Sequence, residues 1–158
     1  MKFKIVFGLL LFILVISCQN SDKFDLESET KEVLKAEAKA REYHFEKNVK
    51  ALVGGFSKDF ISINKGKIEK PTYDESFKKF DSYFKSVEFI KWDNNATPIV
   101  RFSEDGSIAY VAVDKLVIVK FDDEKGNKGI DTINFAWLSV FKKQSGRWSL
   151  DCIASTNR

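Results

Sequence analysis

Ile130-Asp131-Thr132-Ile133-Asn134-Phe135-Ala136-Trp137-Leu138-Ser139-Val140-Phe141-Lys142 leads through Gln144-Ser145-Gly146 into Arg147-Trp148-Ser149-Leu150-Asp151-Cys152-Ile153-Ala154. Side chains two residues apart share one face of a strand, and Ile133, Phe135, Trp137 and Phe141 fall on one side of the first run. The polar triplet reverses the chain, so the two runs read as a hairpin. Upstream, Ile108 to Phe121 has the same texture, with Val113, Val117 and Val119 on one face and Leu116 and Ile118 on the other. Glu104-Asp105-Gly106-Ser107 is a tight-turn sequence that joins it to Ile99–Phe102, and Asp122 to Gly129 is a polar loop leading into Ile130. Val87 to Trp92 supplies one more strand.

Before Ser86 the period changes. Leu26 to His44 is dense in helix formers, with Leu34, Ala38, Arg41 and Phe45 on one stripe flanked by Val33 and Ala40. Asn48 is placed to cap a short second helix through Val49, Leu52 and Phe56, which Gly54-Gly55 weakens. Phe60 to Ile63 reads as a brief strand stopped by Asn64-Lys65-Gly66. Thr72 and Glu75 have capping-box spacing and open a helix whose Phe77, Phe80, Tyr83 and Phe84 form an aromatic stripe, the usual signature of core. Helices first and an antiparallel meander after them indicate an α+β fold, with helices against one face of a curved sheet. The strands are apolar on both faces, whereas one helical layer covers only one of them. The expected second cover is another copy of the chain, giving a homodimer through the sheet face; a local strand twist or the tether folding back is the alternative.

The amino terminus has a different logic. Lys2 and Lys4 precede an apolar run from Ile5 to Ile16, shorter than the roughly 20 residues that cross a bilayer core. The segment Val15-Ile16-Ser17-Cys18 resembles a lipobox. The resemblance implies a bacterial lipoprotein: residues 1–17 are a signal peptide, Cys18 carries lipid, 18–25 is a tether and 26–158 is a single domain. It implies a place in the cell envelope, anchored to a membrane through Cys18. Gln19 in place of an aspartate favours the outer membrane in a Gram-negative host. Two or more acyl chains anchor stably where one does not.

Composition narrows the functions. Of 26 basic residues Lys2 and Lys4 belong to the signal, leaving 24 against 23 acidic ones. A near-neutral mature chain with interleaved signs has no footprint for nucleic acid. With Cys18 acylated, Cys152 is alone and reads as a small buried hydrophobe. One His and one free Cys do not build the usual zinc sites, so neither a metal nor a cofactor is indicated.

The stretches Glu46-Lys47-Asn48, Phe56-Ser57-Lys58-Asp59-Phe60 and Phe141-Lys142-Lys143-Gln144-Ser145-Gly146-Arg147-Trp148 resemble the SnoaL-like branch of the nuclear transport factor two-like superfamily, including its lipoprotein members of unknown function. The resemblance runs from about Leu26 to Arg158. It implies a cone, with a bent sheet wrapped around helices and open at one end as a pocket that some members use for catalysis and others for binding. Catalysis there needs an acid–base group tuned by burial. Asp114 sits on the side of Ala112 and Leu116, and Asp151 opposite the side of Trp148, Leu150 and Cys152, so neither points into the cone. The helical acids read as a solvated face. No catalytic residue is assigned. The pocket candidates are His44, Tyr83, Trp92, Tyr110 and Trp137, suited to a small apolar or aromatic ligand. The expected function is a membrane-anchored binding or interaction module without catalysis; the alternative is a pocket enzyme of isomerase, cyclase or hydrolase type.

Overall fold

A computed structural model describes residues 24–123 and 125–157; the expected signal peptide, 1–17, and Cys18 lie outside the described residues. Among the described residues three helices come early: α1 (Leu26–Phe45), α2 (Val49–Gly54) and α3 (Tyr73–Ser86). Each begins at a residue suited to bind free helix N–H groups. The Asp25 carboxylate accepts from Glu27 and Ser28, Asn48 accepts from Ala51, and Thr72 with Glu75 completes the expected capping box.

Seven strands follow or interleave: β1 (Phe56–Asn64), β2 (Lys67–Glu69), β3 (Val87–Asn94), β4 (Ile99–Phe102), β5 (Ile108–Asp122), β6 (Lys128–Gln144) and β7 (Arg147–Asn157). They form one bent sheet in the order β2-β1-β7-β6-β5-β3, with β4 paired to the other half of β5. The α+β class with a curved, mainly antiparallel sheet and amino-terminal helices is the expected one. The β6–β7 turn holds Ser145 and Gly146 both at positive φ, the pair of conformations that a two-residue hairpin requires.

Three features depart from the periodicity. β1 is longer than Phe60–Ile63 because it pairs in parallel with β7, a long-range partner invisible to a local pattern. Lys65 and Gly66, both at positive φ, fold β2 back onto β1 as a hairpin rather than merely ending the strand. The buried stripe of α1 is Val33, Glu37 and His44 with half-buried Ala40, one residue out of phase with the expected Leu34-Ala38-Arg41-Phe45 stripe. Ala38 and Arg41 are exposed. The inward face holds a carboxylate and an imidazole, and a search for apolar residues alone selects the neighbouring row.

Bulges also re-aim side chains. One in β3 between Phe89 and Lys91 puts Phe89 and Trp92, three apart, on the same inner face. Another in β7 pairs Leu150 with Phe141 but Cys152 with Val140. Cys152 is thus carried to the outer face, and Ile153 turns inward beside Ser139, contrary to simple alternation.

Phe24, in the stretch expected to be bare tether, packs edge-on against Phe102 with ring centroids 5.2 Å apart. The inner face holds two apolar clusters. One joins Val49, Leu52 and Val53 of α2, Phe84, Phe89, Trp92, Val117 and Val119; the other joins Val33, Val111, Val113, Phe141 and Trp148. Trp137 touches both.

Candidate functional site

Between the two clusters the inner row of β5 runs Val111, Val113, Lys115, Val117, Val119, so an ammonium stands where a valine would continue the pattern. Lys115 is 4% exposed and Glu37, facing it from α1, is 6% exposed. Lys115 Nζ donates to Glu37 Oε1 at 3.5 Å, and Ser139 Oγ of β6 donates to Glu37 Oε2 at 3.3 Å. The lysine also sits over Trp137 and Trp92, 4.9 and 5.7 Å from their ring centroids, where the aromatic faces attract a cation. Burial pushes the Lys115 amine below its ordinary range, and Glu37 works against that shift. Removing either partner of such a pair strands the other charge in the interior.

His44 lies two turns further along α1, 5% exposed. It stacks on Trp92 with centroids 3.9 Å apart, and Phe80, Phe84 and Phe89 meet it edge-on. Its Nδ1–H is paired with the Ala40 carbonyl. Burial lowers its pKa to about 4; the Ala40 hydrogen bond opposes that and the Lys115 charge adds to it.

A cleft of about 410 Å³ opens beside this polar core, between α1, α2 and the β6–β7 end of the sheet. Ala36, Ala40, Leu52, Phe56, Phe141 and Leu150 supply apolar wall, and Glu37 lines it from within. Its mouth is charged. Glu29 joins Lys143 and accepts from Trp148 Nε1 at 2.9 Å, tying the first turn of α1 to the hairpin. The Lys143 hydrogen bond, against some burial and with help from Trp148, holds the Glu29 carboxyl below its usual range. Lys35 meets Glu32 at 3.7 Å, while Lys39 and Arg147, also at the mouth, have no carboxylate within 4.0 Å among the described residues.

Four of the five pocket candidates converge in the interior. His44, Trp92 and Trp137 form one aromatic chain, and Tyr83 reaches it through Phe89 at 5.6 Å. Burial raises the Tyr83 pKa, and the Asp131 charge adds to it. They pack around the polar core and do not border the cleft. Tyr110 stands on the outer face of β5, 42% exposed, because it alternates with the buried Ala109 and Val111. His44 meets no strand aspartate: Asp114 accepts from Asn95 at 2.8 Å and Asp151 from Ser57 at 2.6 Å. The helical acids are not all solvated, since Glu37 is the most buried carboxylate described. Composition missed Glu37 and Lys115. The available signal was the lysine inside an inward valine series. Among the described residues no group of three His, Cys, Asp or Glu is arranged to hold a metal.

The outer face is apolar as well. Register aligns Ile99, Ala112, Leu138, Ala154 and Ile63 across five strands, around an open depression of about 680 Å³.

No family model matches the chain, and no curated protein sequence matches it. Solved structures do. A protein of Streptomyces avermitilis, provisionally assigned as a dehydratase of the nuclear transport factor two-like family, aligns at 12% identity and a TM-score of 0.68, covering 82% of this chain and 96% of its own. A provisionally assigned scytalone dehydratase of Novosphingobium aromaticivorans aligns at 13% identity and 0.68, covering 84% and 85%. A nuclear transport factor two-like protein of Cytophaga hutchinsonii aligns at 16% identity and 0.64, covering 85% and 100%. At such identities the likeness extends to architecture: from its helices to its terminal hairpin, the chain has the nuclear transport factor two-like fold.

Proposed function

We propose that this protein is a lipid-anchored binding module of the cell envelope, whose small, largely apolar ligand enters the cleft between α1, α2 and the β6–β7 hairpin. The observation that supports it best is the cleft itself, about 410 Å³ with apolar walls and a buried carboxylate on its lining, within the size range of small-molecule sites. The separation of His44 from Asp114 and Asp151 favours binding over catalysis. The anchor follows from the lipobox-like Val15-Ile16-Ser17-Cys18. Phe24 sits at the β4–β5 turn, which Lys143 N–H joins to the β6–β7 hairpin through the Ser107 carbonyl. Residues 18–23 reach at most about 20 Å from there, so the β4–β5 turn would lie within that distance of the anchored cysteine.

Native mass spectrometry of the protein purified from its own host tests the ligand, and membrane fractionation of Cys18→Ser tests the anchor. A retained small molecule and a loss of membrane association are expected. An empty protein, or a variant still in the membrane fraction, refutes the corresponding half.

The outer-face row of Ile99, Ala112, Leu138, Ala154 and Ile63 supports a homodimer through the sheet, since a surface this apolar is usually covered. A second reading, a pocket enzyme of isomerase, cyclase or hydrolase type, is favoured by one observation: the cleft-lining Glu37 carboxylate stands 3.5 Å from a buried amine of lowered proton affinity, Lys115. Turnover lost in Glu37→Gln with folding intact would establish it.

A further inference from the structure

We propose that the cleft recognises its ligand through one uncharged hydroxyl group, which donates a hydrogen bond to Glu37; this rests on the binding reading above and specifies its chemistry. Glu37 is nine-tenths buried yet lines the cleft. Its two protein donors stand at 3.5 and 3.3 Å, long against the roughly 2.7–2.9 Å of a charge-assisted hydrogen bond. A carboxylate oxygen accepts more than one donor, and a carboxylate donates nothing. The group that completes Glu37 is therefore a donor on the ligand.

Charge selects among donors. Lys115 lies against Glu37, so an ammonium brought to this carboxylate would meet a second cation in a dry setting, after passing Lys39 and Arg147 at the mouth. A ligand carboxylate would meet Glu37 itself. A neutral hydroxyl satisfies the acceptor without adding charge to a pair that already balances. The rest of the ligand is apolar, because Ala40, Leu52, Phe56 and Phe141 form the wall around that point.

The test uses the full chain in lipid nanodiscs, with empty nanodiscs as the partition reference, and fluorine NMR of four matched probes. These are para-fluorobenzyl alcohol, its methyl ether, para-fluorobenzylamine and para-fluorobenzoate. Ala36→Trp, which fills the cleft, defines specific binding. The alcohol should bind about tenfold more tightly than the ether, the size of one hydrogen bond to a charged group. That preference should vanish in the Glu37→Met/Lys115→Met double variant, which removes both charges and leaves neither stranded. Circular dichroism verifies that the double variant is folded. Equal binding of alcohol and ether, a preference for the amine or the benzoate, or an alcohol preference that survives in the double variant overturns the hydroxyl proposal and leaves the binding reading standing. If no probe shows binding sensitive to Ala36→Trp, both fall.

Discussion

Mild acid should weaken this fold through one side chain. His44 has a pKa of about 4 in the folded chain against 6.5 when free, because burial disfavours its charged form. The folded state therefore binds fewer protons than the unfolded chain between those values, and stability falls as pH drops through that window. The two values give a loss of about 2 kcal/mol between pH 7 and pH 5, approaching about 3 kcal/mol near pH 4. Below about pH 5 the carboxyls held below their usual range, Glu29 and Asp105 among them, begin to contribute as well. Confining the comparison to pH 7 and pH 5 isolates the histidine. The perturbation is His44→Phe, which keeps an aromatic ring against Trp92, Phe84 and Phe89 and removes the titration. Urea unfolding followed by tryptophan fluorescence is the assay. The wild-type midpoint should fall by about 1 M more than the variant's between pH 7 and pH 5. Equal pH dependence in the two proteins would show that His44 is not buried in its neutral form, and the aromatic packing described around it would be wrong.

Other substitutions probe the remaining claims. Lys115→Met strands Glu37 in the interior and should cost about 3–5 kcal/mol in urea unfolding, whereas Glu37→Met/Lys115→Met should recover most of that. Gly106→Val should destabilise by about 2 kcal/mol, because Gly106 holds φ +66° and an added Cβ collides with the Phe24 ring. A melting temperature within one degree of wild type would refute that placement of Phe24. Leu138→Glu charges the centre of the outer face and should turn a dimer into a monomer by sedimentation velocity, with circular dichroism unchanged. A wild-type monomer would refute the proposed sheet-face dimer.

Much of the architecture is carried by local pattern. Alternation in β5 and β6 and the aromatic spacing of α3 depend on neighbours within a few residues, and so do the Thr72-Glu75 capping box and the Ser145-Gly146 turn. Such signals survive in a bare sequence, and with the short segments around Asn48, Phe56 and Trp148 they were enough to indicate helices against a bent sheet. The lipobox-like segment ending at Cys18 is equally local, since the resemblance rests on four consecutive residues.

The site is not of that kind. Glu37, Lys115 and Ser139 come from α1, β5 and β6, and their meeting depends on how α1 is rotated over the sheet. That rotation is one residue out of phase with what an apolar stripe predicts, because the interior accepts a paired charge and a neutral imidazole. The bulges at Ile90 and at Asp151 act similarly. Each is one extra residue in a paired strand that leaves no mark in the local pattern, and each decides which side chains face inward beyond it. Sequence alone determined the elements, apart from β2 and the start of β1, and the helix-on-sheet layering, whose causes lie within a few residues. Tertiary structure decided the phase of α1, the parallel place of β1 and the polar core, because their causes are contacts between residues far apart in the chain.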